Sequence, residues 1–245
     1  MKAAAVIQVR ISSTRLPSKA MLELCGRSMT WHVIERVKLI KGVNTVILAT
    51  GSGDENLPLI ELAARCGIES FAGSEDDVLE RYYLASKNID CDYVIRITGD
   101  NPFTDHVSAS MALEYAYANN ADHCTTAGIP LGTGVEIIKK SALAKAFTEG
   151  KEPHHREHVT PYIKEHPELF KIVRYKSALT NPFTDLRLTV DTAEDFKFIE
   201  ILYSELYKTK PVELAEVINY IEKNSELRLI NSSVEQRPMT HHSHG

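Results

Sequence analysis

Cysteine is scarce in this chain of 245 residues: four, at Cys25, Cys66, Cys91 and Cys124, far apart and without a C-x-x-C pair. A disulfide scaffold is thereby excluded, and reduced thiols in a cytoplasmic protein are expected. Positive charge is not in excess either. The 28 Lys and Arg stand against 33 Asp and Glu, a net charge of −5, so the field that sequence-independent nucleic-acid binding needs is missing. No apolar run approaches the roughly 18 residues of a membrane helix. The run at Ala3–Ile7 gives way at once to Gln8 and Arg10, which reads as a first strand rather than a secretory leader. Repeats and low-complexity linkers are absent too. What is present is a globular composition, 43% hydrophobic and 25% charged, sufficient for a full core. The length suits one large α/β domain over residues 1–230, with a flexible tail at 231–245.

Apolar runs alternate with helical patterns. Ala3–Val9 predicts a strand buried on both faces. Met29, Val33, Ile34, Val37 and Ile40 recur at helical spacing. Strands follow at Thr45–Ala49, Glu69–Ala72 and Tyr93–Ile97, with helices at Leu57–Cys66, closed by Gly67, and at Asp76–Lys87. This order implies a mostly parallel sheet with helices on both faces, and ligands gather at the carboxyl ends of such strands. Further on, helices are predicted over His106–Asn119, over Ser141–Thr148 with Ser141 as N-cap, from Thr192 to about Tyr207, and over Val212–Lys223. Strands are predicted at Val135–Ile138, Lys171–Tyr175 and Leu186–Val190.

Chemistry-bearing residues fall at the predicted strand ends. The segment Gln8-Val9-Arg10-Ile11-Ser12-Ser13-Thr14-Arg15-Leu16-Pro17-Ser18-Lys19 packs three cations and four hydroxyls close together. Such a loop can wrap a polyphosphate, although the P-loop spacing is absent; a solvated basic loop is the alternative. Asp100 in Thr98-Gly99-Asp100-Asn101-Pro102 and Asp191 in Thr189-Val190-Asp191-Thr192 are two acidic residues at strand ends. Together they make a plausible Mg²⁺ site; singly, each also fits a turn or a helix start. His154 and His158 would share a helical face, but no H-E-x-x-H is present and zinc is not expected. His241, His242 and His244 are assigned no function.

These segments also carry a family resemblance. Gln8–Lys19 resembles the Q-A-R-x-x-S-x-R-L-P-x-K signature of the cytidylyltransferases that make CMP-activated sugar acids, and more closely their SpsF-like spore-coat polysaccharide branch. Gly73–Tyr83 is similar to the branch's G-S-E-D-D-V-L-x-R-Y, and Arg96–Pro102 to its R-I-T-G-D-x-P. Arg156–Ile163 and Thr189–Asp195 complete the set in order, over roughly residues 3 to 205. The resemblance implies a Rossmann-like nucleotidyltransferase fold, with CTP as substrate and Mg²⁺ as cofactor. It implies transfer of CMP to an anionic acceptor, and a homodimer joined through the segment around residues 120–185. It also implies that Arg15, Lys19 and Asp100 are catalytic, and that Gln8, Arg10, Ser12, Ser13, Arg81 and Thr98 join them around the nucleotide. Asp100 and Asp191 would bind the metal, and Glu136, Glu157 and His158 would meet the acceptor or the dimer seam. The chain departs from the branch at Leu131-Gly132-Thr133-Gly134-Val135-Glu136, where a D-G-x-D-V-E stretch is usual. Leu131 and Gly134 replace two carboxylates there, which bears on the acceptor. Another base, another acceptor class such as a phosphonate, or a non-catalytic nucleotide-binding module are the competing readings.

Overall fold

The computed structural model describes residues 2–12, 15–179, 182–183 and 185–236. Ser13, Thr14 and the histidines of the tail lie outside them. The run Ala3–Ile7 is completely buried and forms β1 (Ala3–Gln8). A small hairpin, β2 (Glu23–Leu24) and β3 (Arg27–Ser28), leads into α1 (Met29–Val37), whose N-cap Ser28 accepts from the Trp31 backbone N–H. Then come β4 (Val43–Gly51), α2 (Leu57–Arg65), β5 (Glu69–Gly73), α3 (Val78–Lys87), β6 (Tyr93–Thr98) and α4 (His106–Ala118). The remainder is β7 (His123–Ala127), β8 (Glu136–Lys139), α5 (Lys140–Glu149), α6 (Pro153–His158), α7 (Pro161–Glu165), β9 (Ile172–Lys176), α8 (Ala193–Leu206) and α9 (Leu214–Lys223).

The strands form a seven-stranded sheet ordered β5-β4-β1-β6-β8-β7-β9. Only β8 is antiparallel to its neighbours, so the sheet is the mostly parallel, Rossmann-like arrangement expected. Alternate residues of β1 serve opposite faces, as the pleat dictates. Ala3, Ala5 and Ile7 join the core under α1, α2 and α4, while Ala4 and Val6 join the core under α3 and α5. A third apolar cluster is built from Leu186, Leu188, Val190, α8 and α9. It packs on Leu24, Met29 and Phe103.

Several expectations are corrected. Leu186–Val190 is not a strand. A single bridge, Leu131 to Arg187, ties it to the segment before β8, and its three apolar side chains are buried in the third cluster instead. Ser141 does not cap α5; that helix begins at Lys140 behind Lys139, with no side-chain cap. The reason is that the Lys140 N–H already donates to the Asp92 carbonyl at 2.9 Å. By contrast Gly67 takes the left-handed conformation (φ 66°) after α2 as its position predicts. Thr192 caps α8 in a reciprocal box with Asp195.

The order of strands places the site. After β1 the chain steps outward to β4 and β5, then returns to the other side of β1 as β6. A crevice therefore opens beyond the last β1–β6 pair, Gln8 with Thr98. Gly99 makes this closeness possible, since a Cβ there would sit 2.6 Å from Val9 Cβ and 3.2 Å from the Gln8 carbonyl oxygen.

Candidate active site

Two chain segments almost a hundred residues apart meet at this crevice. Val190 donates its N–H to the Asp100 carbonyl at 2.9 Å, which sets the two acidic residues side by side. Between them stands Lys19. Its Nζ donates to Asp100 Oδ2 at 2.9 Å, to Asp191 Oδ1 at 3.0 Å and to the Val190 carbonyl at 2.8 Å. Arg15 Nη2 lies 3.2 Å from the same Asp191 oxygen. The other Asp191 oxygen accepts from Arg187 Nη2 at 2.7 Å, and Arg187 is held in turn by Asp195 at 2.9 Å. Burial works against the Lys19 charge, but the two carboxylates outweigh it and raise its pKa above the ordinary lysine value. Burial likewise opposes ionisation of Asp191, and Lys19, Arg15 and Arg187 overcome it and lower its pKa.

Of the predicted nucleotide residues, Gln8 and Thr98 form the last β1–β6 pair, at the mouth of this crevice. Gln8 ends β1, and its buried Oε1 has no hydrogen-bond partner among the described residues. Ser12 is exposed, and Ser13 lies outside the described residues. Arg10 is exposed and donates to the Glu75 carbonyl at 3.1 Å. Arg81 is only 1% exposed. Its Nη1 donates to the carbonyls of Ser74 and Glu75, the latter at 2.8 Å, so it stands behind the loop it was expected to share with the nucleotide. Thr98 Oγ1 accepts from Asn101 Nδ2 at 2.6 Å. One residue missed in the sequence is Asn56, which accepts from the Ile11 N–H at 3.0 Å and donates to Glu75 at 2.8 Å. It thereby ties the basic loop to the loop after β5.

Beside the aspartates lies a cavity of about 350 Å³. Glu136 and His158 line it, whereas Glu157 does not and is exposed on α6. The Glu136 carboxylate meets Arg96 at 2.8 Å, Lys164 at 2.6 Å and the Thr160 hydroxyl at 3.0 Å. Its burial is overcome chiefly by Arg96, and its pKa lies well below the usual carboxylate value. Two full cations thus line the cavity against one carboxylate. The facing wall, Ile129, Pro130, Leu131 and Val135, is apolar. Arg96 stood in a recognisable motif; Lys164 carried no sequence signal.

His154 and His158 do not share a site. His154 and His155 each meet one oxygen of Glu165 at 2.8 Å, and this trio is compact enough to hold a cation. However, His155 Nδ1 accepts from the Glu152 N–H at 3.3 Å. That leaves the proton on Nε2, where a metal would need a lone pair.

Paired carboxylates at the switch point of a mostly parallel sheet, facing a cationic loop, define a nucleotidyltransferase of Rossmann-like fold. The chain belongs to the cytidylyltransferase family, whose model matches residues 4–236. It is 40% identical to an uncharacterized protein of Methanocaldococcus jannaschii over 97% of both chains. It is 28% identical to the spore coat polysaccharide biosynthesis protein SpsF of Bacillus subtilis, over 90% of this chain and 94% of that one. A cytidylyltransferase structure from Leptospira borgpetersenii superposes with a TM-score of 0.87 at 28% identity, covering 96% of this chain and all of that one. The protein is a CTP-dependent nucleotidyltransferase, of a family that uses a divalent metal as a rule. The donors here suit such an ion. Two carboxylates and a carbonyl already converge on one cation, the Lys19 ammonium, and oxygen ligands are what a hard divalent cation takes.

Proposed function

We propose that the enzyme transfers CMP from CTP to an anionic acceptor, a sugar acid or a similar molecule, with release of pyrophosphate and with Mg²⁺ held by Asp100 and Asp191. The single observation that carries this reading is the convergence of those two carboxylates with Lys19 and Arg15 at the β1–β6 crevice, next to a cavity with surplus positive charge. The ion, when bound, supplies Lewis-acid polarisation of the α-phosphate. The chain's own residues do the rest. Arg15 and Lys19 present positive charge to the triphosphate and stabilise the departing pyrophosphate. Thr98 and Asn101 border both the nucleotide crevice and the cavity, so they bring the acceptor oxygen up to the α-phosphorus. Arg96 and Lys164 exceed Glu136 in charge and draw in an anionic group, while the Leu131 wall accommodates an apolar portion of the acceptor.

Relationship to a polysaccharide biosynthesis protein supports a role in surface-polysaccharide or glycoconjugate synthesis. The same reading makes residues 1–230 one catalytic unit of a cytoplasmic homodimer with its contact near residues 120–185. No helix among the described residues is long and apolar enough to cross a membrane. The edge strand β9, bearing exposed Ile172, supports that contact. A thermal-shift series with CTP, UTP, GTP and ATP plus Mg²⁺ tests the nucleotide, since a bound ligand stabilises by mass action. Selective stabilisation by CTP is expected, followed by pyrophosphate release in a screen of anionic acceptors. Selective stabilisation by another nucleotide overturns the assignment.

A further inference from the structure

We propose that Lys19 is the resident cation of the two-aspartate site in the nucleotide-free enzyme, so that the divalent ion enters only as the nucleotide draws Lys19 away. The proposal rests on the reading of Asp100 and Asp191 as metal ligands. All three ammonium N–H groups are spent on oxygens of this site: Asp100 Oδ2, Asp191 Oδ1 and the Val190 carbonyl. None is left over for a substrate phosphate. The side chain is mostly buried, 16% exposed, so water does not compete strongly for it.

The charges around the site balance. Lys19, Arg15 and Arg187 face Asp100, Asp191 and Asp195, and each is within ion-pair distance of at least one opposite charge. A divalent ion arriving alone must push the ammonium out and leave it, unpaired, beside Arg15 and the new ion. That is an unfavourable exchange in a partly desolvated site. A triphosphate reverses the sign of the exchange, because its oxygens accept Lys19 and Arg15 as the carboxylates are released to the metal. Lysine suits this transfer better than arginine: its ammonium is a compact point charge on a flexible four-carbon stem, able to swing without moving the backbone. Arg187, only 6% exposed and locked to Asp195, stays behind to hold Asp191. Metal and nucleotide binding are thereby coupled through one side chain.

The test is Mn²⁺ binding to the full chain without nucleotide, read from the electron paramagnetic resonance signal of free Mn²⁺. Lys19→Met is expected to bind Mn²⁺ about tenfold more tightly than the wild type, an ordinary coupling magnitude. Lys19→Arg, which keeps a cation, is expected to stay at the wild-type level, and adding Asp100→Asn to Lys19→Met is expected to abolish the gain. Equal or weaker Mn²⁺ affinity in Lys19→Met overturns the proposal. Should Lys19→Met fold poorly, Lys19→Gln decides the same question through a larger Mn²⁺-induced rise in Tm than the wild type shows. Pyrophosphate release by Asp100→Asn separates the two levels. If that variant is inactive while Lys19→Met shows no gain, the functional reading stands and the resident-lysine proposal falls. If Asp100→Asn turns over normally, both fall.

Discussion

Asp100 does two separable jobs, because its backbone and its side chain face different partners. The carbonyl accepts from Val190 N–H and joins the two acidic segments, while the carboxylate reaches only Lys19 among the described residues. Asp100→Asn keeps the first contact and removes the charge. We expect kcat to fall by at least about a hundredfold, the scale of losing a group that stabilises transition-state charge, with an unchanged circular dichroism melt. A pyrophosphate-release assay on the purified variant checks it, and near-normal turnover contradicts the role. Asp191 is the more entangled partner: three cations contact its carboxylate, so its replacement confounds structure with catalysis.

At the scale of elements, the crevice depends on how closely the ends of β1 and β6 approach. The Gly99 N–H donates to the Gln8 carbonyl at 2.8 Å, and the position has room for hydrogen only. In Gly99→Ala the new methyl lands 2.6 Å from Val9 Cβ, and Val9 is buried and stiff at χ1. We expect a loss of about 1–3 kcal/mol, as overpacking gives, together with weaker CTP binding because Asp100 is displaced from the basic loop. Urea denaturation and CTP titration measure the two effects. The double variant Val9→Ala/Gly99→Ala is expected to recover little of either, since alanine at position 9 removes Cγ2, at 2.7 Å, but keeps the Cβ that the new methyl meets at 2.6 Å.

The elements legible in the sequence were those whose apolar pattern and punctuation agree. β1, β4 and β6 each contain a short apolar run, at Ala3–Ile7, Val46–Ala49 and Tyr93–Ile95, and α8 carries its own capping box at Thr192 and Asp195. β7 was not legible because His-Cys-Thr-Thr-Ala lacks a strand's apolar pattern; its burial comes from lying between β8 and β9. The short helices α6 and α7 each start at a proline and are fixed by tertiary packing rather than by periodicity. Leu186–Val190 misled because apolar alternation describes any extended segment against a core, paired or not. Among site residues, those at strand ends could be read, since the topology makes strand ends converge. Lys164, Asn56 and Arg187 could not, because nothing local distinguishes a lysine, an asparagine or an arginine that finds its partner across the fold.

The molecule as a whole brings its last third back onto its first. The third apolar cluster, with α8 and α9, carries Asp191 to a crevice made by β1 and β6, and α1 is the surface on which that cluster rests. His32 is a stitch in this seam. It is 3% exposed, its Nε2 donates to the Leu24 carbonyl at 2.7 Å, and its ring meets Tyr203 and Tyr207 of the region at and just beyond the end of α8. Burial lowers its pKa below the ordinary histidine value, with Arg36 and Arg27 adding to the effect and the Leu24 carbonyl and Glu35 opposing it. The folded state therefore takes up the proton at lower pH than the unfolded chain does. Between the unfolded value, about 6.5, and the lower folded value, the unfolded state binds more protons, so stability falls as the pH falls. Above that window the contribution is complete. One ring can contribute a slope of at most about 1.4 kcal/mol per pH unit. Urea midpoints of the wild type are expected to drop from pH 7 toward pH 5. His32→Gln can still donate to the Leu24 carbonyl but cannot titrate, so its curve is expected to be flatter over the same interval, with the gap between the two proteins closing as acid is added. Parallel curves would show that His32 is protonated equally in both states, and that the seam between α1 and the third cluster is not what gives way in acid.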